Sequence, residues 1–267
     1  MAPDGSKVLD GGEVIAVSGK VLAHIPDPFP QLPVWADDSA HLCVVSPLNV
    51  LSDAGSTGNL LEFDMSGRPR TVTHLGPVPA VSSAWQVLAC SPASDRVIVA
   101  QETGQTLMVM VYRLSSGQLI ARHSVADASL ASAIAAHDGR IVAVNEKSGI
   151  TIHNATTWAV LARIVRWGSQ AGFPLIGAAV NISWDGSRIV VDGGGAGGGF
   201  HPEWMVHWAT DRNVLTNTGP NSLLAGFDDA IPLTTGSAFL LPPGDGATDP
   251  GAAYLLDPAG SLQRIPG

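Results

Sequence analysis

The sequence predicts an all-β fold, a β-propeller of four-stranded antiparallel blades, about six in number with the first incomplete. Two phrases that recur at one period carry this expectation, and composition agrees with it. The first phrase is a polar turn, then a basic or small residue, then an apolar run. It reads Asp4-Gly5-Ser6-Lys7-Val8, Asp38-Ser39-Ala40-His41-Leu42, Ser94-Asp95-Arg96-Val97, Asp138-Gly139-Arg140-Ile141, Asp185-Gly186-Ser187-Arg188-Ile189 and, in weaker form, Thr235-Gly236-Ser237-Ala238-Phe239. Counted from Lys7, His41, Arg96, Arg140, Arg188 and Ala238, the steps are 34, 55, 44, 48 and 50 residues, an average of about 46, close to the spacing of propeller blades. The second phrase is a hairpin turn before a short strand, anchored on Gly19, Gly67, Gly117, Thr157, Arg212 and Gly260 with steps of 48, 50, 40, 55 and 48. Gly, Asn, Asp and Ser belong at such turns because two-residue hairpins need positive φ. Thirty glycines and 19 prolines in 267 residues punctuate the chain too often for long helices.

Taken in order, the units span about 1–33, 34–79, 80–126, 127–172, 173–224 and 225–267, read as one domain. The first has three strands, Lys7 to Leu9, Glu13 to Val17 and Lys20 to Ile25, with nothing ahead of them to act as the innermost. In the third, Val87 to Ser91, Val97 to Ala100, Leu107 to Tyr112 and Gln118 to His123 fill four slots. The fifth reads Ala178 to Trp184, Arg188 to Val191, Trp204 to Trp208 and Asn213 to Thr216. Near-continuous apolar runs in its first three strands suit burial on both faces, and the polar fourth suits an outer edge. The sixth also has four strands, so its C-terminal end has none to lend to the first unit. The expectation is five full blades plus a three-stranded one, or a piece of a longer chain.

The phrase (S/W)-x-D-G-x-(R/K)-(I/V), followed later by D/L-x-(S/T)-G, resembles the repeats of bacterial WD40-like and YVTN-type β-propellers over nearly the whole chain. The Gly-His and Trp-Asp dipeptides of WD40 repeats are missing, and Trp184-Asp185 falls at the first turn of its unit. The resemblance implies the fold, and such folds host enzymes, lectins and scaffolds alike.

A formal charge of −9 with 14 Lys and Arg argues against a nucleic-acid groove, which relies on clustered basic residues. No run of 18 apolar residues predicts a membrane span. The start lacks a basic region followed by an apolar one, so a cytoplasmic place is the default expectation. Cys43 and Cys90 sit inside apolar runs and read as buried thiols filling core volume; a disulfide is the alternative, since neighbouring blades can set such strands side by side.

Strands alternate in direction, so loops joining second to third strands leave at the same end as loops joining one blade to the next. The long connections Ser46 to Asn59, Asp192 to Glu203, Pro242 to Gly251, Pro26 to Pro33, Arg166 to Gly177 and Gly219 to Asp229 all belong to these two classes. Binding residues concentrate on such loops, which makes Trp35, Trp167, His201, Glu203, Asp228 and Asp229 the candidate ligand-binding set. The glycine-rich run Gly193 to Gly199 precedes a strand and lacks Lys, unlike a phosphate-cradling loop; it is either a spacer or a flap carrying His201, Glu203 and Trp204. The eight histidines lack metal-ligand spacing, the acidic residues lack a calcium-loop order, and no G-x-S-x-G or H-E-x-x-H motif occurs. No metal or cofactor is expected. The favoured function is a binding module engaging a protein, peptide or small ligand through the loop-rich end; a propeller hydrolase or lyase and a carbohydrate-binding lectin are the alternatives.

Overall fold

The computed structural model describes residues 2–25, 33–46, 57–77, 83–129, 132–146, 149–165, 179–192, 202–208, 215–217, 231–234, 236–241, 252–259 and 261–265. All elements among them longer than a turn are strands. The first sheet has three: β1 (Lys7–Asp10), β2 (Glu13–Ala16) and β3 (Val21–His24). Five four-stranded sheets follow in chain order. They are β4 (Val34–Trp35), β5 (His41–Ser46), β6 (Thr57–Asp64) and β7 (Pro69–Pro77); β8 (Ser83–Ser91), β9 (Arg96–Thr103), β10 (Thr106–Tyr112) and β11 (Leu119–Ala126); and β12 (Ala133–Ala135), β13 (Ile141–Glu146), β14 (Gly149–Asn154) and β15 (Val160–Val165). The last two are β16 (Ala179–Ile182), β17 (Arg188–Asp192), β18 (Pro202–His207) and β19 (Leu215–Asn217), then β20 (Ile231–Pro232), β21 (Phe239–Leu241), β22 (Ala253–Leu256) and β23 (Leu262–Ile265). Each sheet is an antiparallel meander in which sequence neighbours pair. Five complete blades and a three-stranded first one therefore match the architecture read from the two phrases.

The chain folds as two compact units. In the first, Met1–Ala131 with His137–Arg140 and Ala155–Thr157, cores lie as slabs between consecutive blades. Side chains on β5 alternate, so Leu42 and Val44 join Val14, Ile25, Trp35 and Phe63, whereas Cys43 and Val45 join Val87, Cys90, Val99 and Tyr112. In the second unit, β17 divides the same way: Ile189 and Val191 pack with Ala143, Ile152 and Ile182, while Val190 packs with Phe239, Leu241 and Leu256. The period-two geometry of a strand thus serves two cores at once.

Polar latches join the blades of each unit at their tight turns. In the first unit the Asp4 amide donates to Ser39 Oγ at 3.0 Å and Lys7 Nζ donates to the Ser39 carbonyl at 3.0 Å. The Asp37 amide donates to the Cys90 carbonyl at 3.1 Å, and Ser91 Oγ to the Asp37 carboxylate. Ser94 Oγ donates to the Asp138 carbonyl at 2.6 Å. In the second unit the Asp185 amide reaches the Gly236 carbonyl at 3.3 Å and Arg188 Nη1 donates to Ser237 Oγ at 2.5 Å.

Hairpin turns seat against the outer strand of the preceding blade. Gly117 has φ +68, and a Cβ there would overlap the Val72 carbonyl oxygen in β7; at Gly67, with φ +74, a Cβ would lie 2.9 Å from the His24 carbonyl oxygen. Glycine is required at Gly117 both for conformation and for close approach. The fourth blade departs from expectation. Its left-handed residue is Trp158, φ +57, one place after Thr157, and its amide bonds to the Asn154 carbonyl as Gly117 bonds to Arg113. The Trp158 ring stacks on His153 at 4.2 Å between centroids, and its carbonyl lies 3.2 Å from His153 Nδ1.

Cys43 and Cys90 form a disulfide across the second and third blades, with Cα atoms 6.0 Å apart, so the thiol reading gives way to the bonded one. The reason is tertiary: Cys43 points from β5 into the same slab that receives Cys90 from β8, within bridging distance.

Three outcomes are expected. Replacing both cysteines by Ala opens a loop of sequence separation 47 and should cost about 4 kcal/mol by the chain-entropy relation, read as a fall in urea unfolding free energy under non-reducing conditions. Gly117→Ala should cost at least ~2 kcal/mol, because left-handed strain alone is worth roughly 1–2 kcal/mol; Gly104→Ala, φ +62 with open space around it, should show the strain without the overlap. Burial pushes His137 down to about 4 from 6.5. Between those values the unfolded chain binds the proton and the folded one does not, so stability should fall as pH drops from 6.5 toward 4, by up to about 3 kcal/mol. His137→Asn should flatten that part of the pH–stability curve.

Candidate functional site

Antiparallel pairing sorts the connections of each blade to two ends. First-to-second and third-to-fourth turns share one end, and the polar groups there are bound within the turns themselves. Asp64 is held below the usual carboxylate range by the Ser66 hydroxyl and amide. Asp95 is held low chiefly by the Ser115 amide. At Asp185 burial pushes upward, but the hydroxyls of Ser183 and Ser187 and the Ser187 amide outweigh it and leave the carboxyl low. Asp64 and Asp185 accept the hydrogen bonds that close their own turns, in the manner of an Asx-turn, whereas Asp95 accepts from Ser115 and ties the two turns of its blade together; none is poised to give or take a proton near neutrality.

The other end carries the second-to-third and inter-blade connections. Among the described residues two of these are tight, the Gly11-Gly12 link between β1 and β2 and the Gly104-Gln105 link between β9 and β10. The longer ones, 26–32, 47–56, 166–178, 193–201, 218–230 and 242–251, lie outside the described residues. Trp167, His201, Asp228 and Asp229 belong to them. Glu203 is in β18, where the pairing shifts between Val191 with Trp204 and Asp192 with Pro202; such an irregularity re-aims a strand locally.

Trp35 is placed differently from its reading as a residue beside an open loop. It ends the two-residue β4, opposite Leu42, is only 7% exposed and packs with Ala2, Val14, Ile25 and Phe63. Its indole Nε1 is buried with no hydrogen-bond partner among the described residues. The brevity of β4 is why Pro33-Val34-Trp35 looked like loop sequence. Trp85 is core, 2% exposed. Trp208 is half-buried with its Nε1 donating to the Gly186 carbonyl at 2.6 Å, and Trp184 lies in the turn after β16 rather than within the strand.

Sequence reading passed over the polar pairs that the fold creates. Arg70 forks onto Glu62 of the adjacent strand β6 and also donates to the Leu114 carbonyl at 3.0 Å; Glu62 is buried, so this pair ties β7 to the turn of the next blade. His41 Nδ1 lies 2.5 Å from Asp38. His24, His74 and His123 fall in the outer strands β3, β7 and β11, and no group of three or more His, Cys, Asp or Glu that could hold a metal occurs among the described residues. No helix among them is long and apolar enough to cross a membrane.

Neither a protein-family model nor a curated protein matches the sequence. Solved structures do match in shape. TolB from Acinetobacter baumannii aligns at 16% identity with a TM-score of 0.59, over 94% of this chain and 57% of its own. The β-propeller domain of the Trilobed protease from Pyrococcus furiosus, described as having an open velcro topology, aligns at 11% identity and TM-score 0.55, over 95% of this chain and 73% of its own. A chain of the Mitotic Checkpoint Complex aligns at 13% identity and TM-score 0.51, over 90% of this chain and 66% of its own. This chain therefore spans less than two thirds of the TolB chain. Identities this low carry the fold and nothing finer, and together with the meandering blades they establish that the chain is an all-β, β-propeller protein built from four-stranded antiparallel blades.

Proposed function

We propose that the chain is an interaction module that engages a protein, peptide or small ligand through the loop-bearing ends of its blades. The observation that carries this reading is the asymmetry of the connections. At one end the turns are short and their Asp, Ser and Arg side chains are spent on Asx-turns and inter-blade latches. At the other end stand the long connections, which hold Trp167, His201, Asp228 and Asp229, with Glu203 at the start of β18. A rigid scaffold with variable loops at one end is a common arrangement for recognition. The net charge of −9 favours a neutral or basic partner over an acidic one.

The buried Cys43–Cys90 disulfide further supports residence in an oxidising compartment, because such bonds persist there and are rare where thiols are kept reduced. Trapping thiols in intact cells before lysis tests this, and two free thiols per chain would refute it.

Panning the immobilised protein against a random peptide library tests the loop-end reading. Selected binders should lose at least tenfold in affinity, measured by calorimetry, on Trp167→Ala, His201→Ala, Glu203→Gln or deletion of residues 193–199. Urea midpoints should stay unchanged. Lys20→Ala and Arg68→Ala, at the turn end, should have no effect. Binders indifferent to every loop substitution but sensitive to the turn-end pair would overturn the proposal.

A further inference from the structure

Six Asp-Gly pairs occur in the sequence, and four lie wholly within the described residues: Asp4-Gly5, Asp10-Gly11, Asp138-Gly139 and Asp185-Gly186. Such a pair can rearrange when the glycine amide nitrogen reaches the aspartate carboxyl carbon, because glycine has no side chain to obstruct the approach. What already holds the two groups decides whether they meet. In three of the four pairs the fold restrains them. Asp4 Oδ1 accepts from the Ser6 amide at 2.9 Å and the Ser6 hydroxyl at 2.6 Å, and the Gly5 amide donates to the Ala2 carbonyl at 2.9 Å. Asp185 Oδ1 accepts from the Ser183 hydroxyl at 2.7 Å and the Ser187 amide at 3.0 Å, and the Gly186 amide donates to the Ser183 carbonyl at 2.9 Å. Asp138 Oδ1 accepts from the Arg140 amide at 2.9 Å, and Gly139 is buried against the Arg96 side chain.

Asp10-Gly11 is different. It stands in the link between β1 and β2 rather than in a first-to-second turn, and both of its residues are exposed. Among the described residues the Asp10 carboxylate has no hydrogen bond or ion pair, and the Gly11 amide has no acceptor. A Cβ on Gly11 would meet nothing within 4 Å. This openness belongs to the link and not to a blade of three strands. The matching link of the complete third blade, Thr103-Gly104-Gln105, is exposed throughout although β8 pairs with Thr103.

We propose that Asp10-Gly11 is a site of spontaneous covalent modification, at which the main chain rearranges to isoaspartate. The Gly11 nitrogen bonds to Asp10 Cγ, and the amide proton leaves with the hydroxyl of the protonated carboxyl as water, which closes a succinimide ring. Water then opens the ring at either carbonyl. One opening restores aspartate; the other leaves the main chain running through Cγ, one methylene longer, with a free α-carboxylate. The length of a hairpin link sets its register. This link closes the pair Asp10 with Glu13 and presents the Gly12 carbonyl to the Ile25 amide at 2.7 Å, and the added methylene loosens both. Ile25 is buried with Val14 and Trp35, so the change reaches the slab between the first two blades. The inference goes beyond the loop-end reading and does not depend on it.

The test keeps the folded protein in water enriched in oxygen-18, at neutral pH and physiological temperature, before digestion with trypsin in ordinary water. Peptide 8–20 holds Asp10-Gly11, and peptides 1–7, 123–140 and 167–188 hold the other three pairs. Each succinimide hydrolysis leaves one oxygen-18, and electron-transfer fragmentation identifies the isoaspartate. Label should enter peptide 8–20 at least tenfold faster than the other three. Unfolding in urea should accelerate those three and change 8–20 by less than tenfold. Asp10→Glu keeps the charge but requires a larger, less favourable ring, and should leave 8–20 unlabelled. Three results overturn the proposal: no more label in 8–20 than in the Asp10→Glu variant, equally fast labelling of the other folded peptides, or an acceleration of 8–20 beyond tenfold on unfolding, which would mean that the hairpin holds the two groups apart.

Discussion

Strands that bury both faces are the constraint on which the rest of each unit depends. A strand such as β5 places Leu42 and Val44 in one slab and Cys43 and Val45 in the next, so neither slab can form without a neighbour. No blade has a core of its own, and stability resides in the contacts between consecutive blades, as in other repeat architectures. This is why charged residues are sparse, at 14% of the chain, and why they gather in turns and outer strands. The outer strand β11 carries exposed positions along its length.

Slabs of apolar side chains are non-directional, and hydrogen bonds at the turns supply the alignment that they lack. The bonds from Asp4 and Lys7 to Ser39, from Asp37 to Cys90 and from Ser94 to Asp138 fix one blade's turn on the next. Gly67 and Gly117 bring hairpin turns against the backbone of the preceding outer strand, closer than a side chain allows. The fourth blade reaches the same left-handed turn with Trp158, whose ring packs on His153; ring stacking and a bond to His153 offset the strain that a glycine would have avoided.

The same economy bears on function. Side chains spent on Asx-turns and latches are not free to recognise anything, so a binding role falls to the ends of the blades where connections are long.

Much of the fold was legible in the sequence because turns and strand periodicity are local. Asp-Gly-Ser turns, hairpin glycines and apolar runs are fixed by backbone conformation within a few residues, and their repetition was enough to count the blades and to find the first one short of a strand. The placing of His24, His74 and His123 in outer strands followed from the same register. What lay beyond reach depended on neighbours distant in the chain. Two cysteines in apolar runs look alike whether bonded or not, and only the packing of β5 on β8 makes them a disulfide. Trp35 read as a binding residue beside a loop because β4 is two residues long, and its burial is imposed by the first blade rather than by its own flanks. Local rules dictate conformation; which surfaces meet is decided by the tertiary structure, since burial and pairing are properties of two segments and not of one.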